Sequence, residues 1–94
     1  APDRATAERI AEALVRERLA ACVHLWPIAS AYRWAGAIQR AEEVALSIRT
    51  RADRADLLRD RLLALHPYDT PELVVLPVVD GAPAYLDWVR EESA

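Results

Sequence analysis

The chain has 94 residues, a formal net charge of -3 and a hydrophobic content of 53%. That length suits one domain over residues 1–94 with one core. The lack of basic excess argues against nucleic acid or an anionic membrane as the main partner, and no apolar run approaches the ~18 residues of a membrane span.

So small a body has too much surface to hide that much apolar area alone, so copies of the chain are expected to cover one another. The single cysteine, Cys22, excludes an internal disulfide framework and fits a reducing compartment. With no signal-peptide pattern, the expectation is a soluble cytoplasmic protein. The sequence contains no Met, so Ala1 is not an encoded start and something upstream is expected to have been removed.

From Ala7, the residues Ala7, Ile10, Ala11, Leu14 and Val15 form one stripe of a helix, with Asp3 as its cap and Arg16 and Arg18 at its negative end. Ala21 to Trp34 then alternates: Cys22, His24 and Trp26 face one way, Val23 and Leu25 the other. Pro27 cannot donate a ladder hydrogen bond, which predicts a bulge or kink in this long strand. Trp34-Ala35-Gly36-Ala37 reads as a turn into a second strand, with Val44, Leu46 and Ile48 on one face and Ala45, Ser47 and Arg49 on the other. The two strands read as a hairpin.

Ala55, Leu58, Leu62 and Leu65 mark a second helix, capped by Asp53 or Thr50. It must stop at His66-Pro67-Tyr68-Asp69-Thr70-Pro71-Glu72, because each proline disfavours helical backbone at the residue before it. Leu73 to Val79 then reads as a strand apolar on both faces, needing cover on both. Pro83 can open a short third helix bearing Tyr85, Leu86, Trp88 and Val89. The order is helix, strand, strand, helix, strand, helix, a split β-α-β arrangement without its first strand.

Leu19-Ala20-Ala21-Cys22-Val23, Tyr32-Arg33-Trp34-Ala35-Gly36, Arg49-Thr50, the His66 to Glu72 corner and Tyr85-Leu86-Asp87-Trp88 together resemble the CutA family of divalent-cation tolerance proteins. The resemblance runs over nearly the whole chain in the right order. It implies an α+β fold, a ferredoxin-like α/β sandwich with two helices on one face of an antiparallel sheet and a short C-terminal helix. It also implies a tight homotrimer related in shape to the PII signalling proteins, and a role in copper or other divalent-ion tolerance.

Two departures matter. The family carries a strand ahead of Ala1-Pro2-Asp3, central in the sheet; without it the neighbouring strands would show naked edges. A trimmed chain, or another segment in that slot, is expected. The family's best-studied metal ligands are a cysteine on that strand and two adjacent histidines at the corner, where this chain has Leu65-His66.

Cys22 and His24, two apart on a strand, face the same way and could take two positions around copper or zinc. Two ligands are too few for a structural site unless neighbouring copies or His66 complete it. The competing account makes Cys22 a small buried hydrophobe and His24 an ordinary hydrogen-bonding group. His66 is either a metal or anion contact at a subunit cleft or a cap on the helix carbonyls. Tyr68, Asp69 and Glu72 read as a hydrogen-bonded corner. Tyr32, Arg33 and Trp34 read as an interface patch.

The PII resemblance makes Arg49 and Glu72, with Tyr32, Trp34 and Tyr68, candidates for a cleft between subunits. No nucleophile, base and orienting group come together in the sequence, and two glycines make no phosphate loop. The expectation is a non-enzymatic homotrimer that binds copper or another divalent cation and no organic cofactor. The alternative is a PII-like signalling or scaffold trimer that binds a small ligand at its clefts.

Overall fold

The computed structural model describes all 94 residues, Ala1 to Ala94. It is an α+β structure in which two helices lie on one face of a long antiparallel hairpin.

Helix α1 (Arg4–Arg16) starts where expected: the Asp3 carboxylate accepts from the Thr6 amide at 2.7 Å. Ala7, Ile10, Ala11 and Leu14 of the predicted stripe are buried, joined by Thr6, whereas Val15, expected in the same stripe, is 44% exposed. The helix closes in a Schellman motif, with the Arg18 amide donating to Val15 O at 3.1 Å and the Leu19 amide to Leu14 O at 3.0 Å. This closure needs left-handed backbone, and an arginine supplies it: Arg18 has φ +58°. Its guanidinium donates to the carbonyls of Glu91 and Ala94, at 2.7 and 3.1 Å, tying the C-terminal end of the chain to this turn.

Hydrogen bonding and solvation make Asp3 a pH-sensitive element. The Thr6 amide donating to Asp3 holds its carboxyl below the usual carboxylate range. A depressed folded-state pKa contributes stability that is present above the unfolded value, ~3.9, and lost as pH falls through the folded one. Thermal melts between pH 6 and pH 2 are therefore expected to show a smaller acid-induced drop in Tm for Asp3→Asn, which keeps the cap without the charge, than for the wild type. Equal drops would show that titration of the Asp3 carboxylate contributes nothing to the acid sensitivity.

Strands β1 (Cys22–Trp34) and β2 (Ala37–Arg49) pair without interruption from Cys22↔Arg49 to Trp34↔Ala37. The turn residues Ala35 and Gly36 have φ of +52° and +78°, the signature of a type I′ turn, whose twist matches that of the strands it joins. Thirteen residues of strand span ~43 Å, so the hairpin sets the 45 Å long dimension of the molecule.

The bulge expected at Pro27 is absent, since Pro27 pairs directly with Val44. Val44 exchanges both of its backbone hydrogen bonds with Ala1, at 2.9 Å each, and so offers none to Pro27. The proline sits at a position where the ladder needs no donor.

The core lies between the helices and the base of the hairpin. Ile10, Leu14, Ala20 and Leu58 form its centre, with Leu19, Val23, Leu46, Ile48, Leu62 and Leu65 packed around them. Helix α2 (Ala55–Leu65) follows one 3-10 turn, Ala52–Arg54. Neither expected cap serves it. The Asp53 carboxylate accepts from Arg51, and the Thr50 hydroxyl donates to Leu19 O at 2.7 Å, joining the end of β2 to the turn after α1. The Arg61 guanidinium donates to both Glu17 carboxylate oxygens, at 2.8 and 2.9 Å, and links the two helices.

Helix α2 ends at Leu65, and His66 is extended, φ -80° and ψ 135°, as the following proline requires. The strand expected at 73–79 does not form. A strand needs a hydrogen-bonded neighbour, and the outer edge of β2 meets only Ala1. Val74, Leu76 and Val79 are accordingly 72%, 79% and 93% exposed.

Helix α3 (Pro83–Glu92) opens on Pro83 and buries Val89; Ser93, beyond it, is fully buried. No helix is long and apolar enough to cross a membrane.

Only 11 of 94 residues are buried, and sixteen large apolar or aromatic side chains are exposed. The accessible surface is 6763 Å², whereas a compact monomer of this mass presents about 5,400 Å². The radius of gyration is 14.4 Å against about 12 Å for a compact chain of this length.

Candidate functional site

The hairpin sorts the candidate residues by face. Directly paired residues of an antiparallel ladder share a side, so Cys22, His24, Trp26, Ile28, Tyr32 and Trp34 lie with Arg49, Ser47, Ala45, Glu43, Gln39 and Ala37. The opposite side carries Val23, Leu46 and Ile48 onto the core. The first face is therefore turned away from the helices. Cys22 is half-buried there, and His24, opposite Ser47, is exposed. The Arg49 guanidinium reaches along the strand to donate to the Ser47 hydroxyl, beside this pair.

Farther out, Tyr32 and Trp34 are 44% and 55% exposed on the protruding half of the hairpin. The His66 corner meets the same hairpin at Glu43. The Tyr68 amide donates to His66 Nδ1 at 3.2 Å, and the two rings meet edge-on with centroids 4.6 Å apart. In the neutral ring Nε2 then carries the proton. Burial, reinforced by the nearby positive N-terminus, pushes the imidazole below its ordinary pKa, and Glu43 opposes this.

The Tyr68 hydroxyl donates to Glu43 Oε2 at 2.9 Å. Burial first, then this bond to a carboxylate, pushes the phenol up to about 12, so it stays a donor at neutral pH. Asp69 and Glu72 are exposed.

The structure thus brings Cys22, His24 and Arg49 to one end of the open face, and His66 and Tyr68 to the side of the hairpin at Glu43. It does not bring the three metal candidates together: no three His, Cys, Asp or Glu side chains gather closely enough to hold an ion. The donors that are present, a thiol and an imidazole on neighbouring same-face positions, suit a soft or borderline ion rather than calcium or magnesium. The residue that sequence reasoning missed is Glu43. Nothing local to it announces a bond to a tyrosine twenty-five positions away.

Residues 1–92 match the family described as CutA1 divalent ion tolerance protein. The divalent-cation tolerance protein CutA of Thermus thermophilus is 45% identical over 93 residues, covering 98% of this chain and 90% of that protein. Among solved structures, one described as the periplasmic divalent cation tolerance protein CutA from Archaeoglobus fulgidus superposes with a TM-score of 0.98 at 39% identity. It covers all of this chain and 92% of its own. The PII-like protein CutA from Nostoc, in apo form, gives a TM-score of 0.91 at 37% identity over 96% of this chain and 88% of that one. With nearly the full length matched in sequence and in shape, the chain belongs to the CutA1 divalent ion tolerance protein family.

Proposed function

We propose that the protein is a homotrimeric, non-enzymatic divalent-cation tolerance protein whose cargo is copper, held by Cys22 and His24 with His66 of the same or a neighbouring copy. The observation that carries this reading is the placement of Cys22 and His24 on alternate residues of β1, on the face turned away from the core. A thiolate and an imidazole there present two soft or borderline donors and leave an ion short of ligands. Assembly supplies the remainder, and the large exposed apolar surface of a single copy gives assembly its driving force. The family's descriptions support the cation class.

The single cysteine supports a reducing, cytoplasmic setting, although the Archaeoglobus relative is described as periplasmic. A second reading, a PII-like signalling or scaffold trimer with a small ligand at its clefts, draws on the likeness to the Nostoc protein. Tyr32, Trp34, Arg49, Tyr68 and Glu72 are its candidate contacts.

Titrating copper into wild type, Cys22→Ala, His24→Ala and His66→Ala separates the two. The metal reading expects micromolar binding by wild type, weakened at least about tenfold by Cys22→Ala, a loss of about 1.4 kcal/mol. A wild-type protein that takes up no copper at micromolar concentration removes it.

A further inference from the structure

Asp80 is the one aspartate of the chain that precedes a glycine, and no asparagine is present to compete with it. It lies in the link that leads into α3, where the backbone is neither helix nor strand, and both Asp80 and Gly81 are exposed. The Gly81 amide donates to Asp80 Oδ1 at 2.8 Å. Neither residue takes part in a backbone–backbone hydrogen bond, so the Gly81 N–H is held by the neighbouring carboxylate and by no ladder.

That bond keeps the side-chain carboxyl beside the backbone nitrogen of the next residue, close to the arrangement from which a cyclic imide closes. Glycine adds a second condition, since a residue without Cβ puts nothing of its own in the way of the approach. The packing of α3 itself favours glycine there: a Cβ at 81 would press on Leu86 Cδ2 at 3.2 Å. By contrast, Asp60 and Asp87 lie inside α2 and α3, where the amide of the following residue is committed to the helix.

We propose that Asp80-Gly81 is a self-modification site, at which the folded protein converts Asp80 to isoaspartate with water as the sole co-reactant. The Gly81 nitrogen bonds to Asp80 Cγ of the neutral carboxyl, the Cγ–OH bond breaks, and the hydroxyl leaves with the amide proton as water. Water then adds to either carbonyl of the imide. Breaking the new Cγ–N bond restores aspartate. Breaking the original bond between the Asp80 main-chain carbonyl carbon and the Gly81 nitrogen leaves the chain running through Cγ, which lengthens the link into α3 by one methylene and frees the main-chain carbonyl as a carboxylate.

The test incubates the whole folded chain at neutral pH and physiological temperature. Isoaspartate is read by peptide mapping and by labelled methyl transfer from an isoaspartyl-specific methyltransferase. The peptide that contains Asp80 is expected to gain isoaspartate at least about tenfold faster than a peptide holding any other aspartate. Asp80→Glu, which would have to close a larger ring, is expected to lose the signal. No excess at Asp80 over the other aspartates overturns the proposal, and so does a wild-type methylation signal in Asp80→Glu, because the reacting residue would then lie elsewhere. Isoaspartate that forms at Asp80 in the urea-unfolded chain but not in the folded one overturns it equally, since the fold would then hold the pair apart.

Discussion

Leu14→Ala is expected to lower the unfolding free energy by about 3–4 kcal/mol, the range for a leucine truncated in a core that cannot collapse around the gap. Leu14 is fully buried, and it packs with Ile10, Ala20 and Leu58 in the centre of the core. Its carbonyl also accepts from the amides of Leu19 and Ala20, so the backbone that would have to move to fill the space is pinned by the turn that closes α1. Small domains hold only about 5–15 kcal/mol in reserve. The loss should appear in urea unfolding as a markedly lower midpoint with an unchanged slope. A shift equivalent to less than about 1 kcal/mol would mean that the core between α1, α2 and the hairpin is not what holds the chain together.

Leu76→Asp carries the other large expectation, and it runs against what a single copy suggests. Leu76 is 79% exposed, and a substitution at so open a position ordinarily changes stability by less than about 0.5 kcal/mol. If sister copies cover the Leu73–Val79 run, however, the same change puts a carboxylate into an apolar contact and leaves it without a partner. The wild type is expected at a mass of about 31.5 kDa, three times the 10.5 kDa of one chain. The variant should need at least about a hundredfold higher concentration to reach it, which for a three-chain assembly is equivalent to about 5.5 kcal/mol per trimer. Wild-type and variant proteins of equal mass and equal Tm would show that this surface is not used in assembly.

What the sequence by itself determined is whatever depends on neighbours a few positions apart. The 3.6-residue recurrence from Ala7 to Leu14 became the buried face of α1, and Asp3 capped it. The alternation from Cys22 to Trp26 predicted which side chains share a face of the hairpin up to Pro27, because a pleated strand allows only two sides. Pro67 ended α2 at Leu65 through a local steric clash that keeps His66 extended. The surplus of apolar residues over what one small body can cover was also legible, since surface scales predictably with mass.

Only the tertiary structure decided matters of pairing between distant segments. Leu73–Val79 has the composition of a strand and does not form one, because composition supplies a face but not a hydrogen-bonded neighbour. Pro27 sits in β1 without a bulge because Val44 gives its backbone groups to Ala1, a choice no local pattern encodes. Thr50 ties down the turn at Leu19 instead of capping α2, and Tyr68 finds Glu43. Periodicity is short-range and survives in any fold that buries a face; the identity of a partner is set by how the whole chain closes on itself.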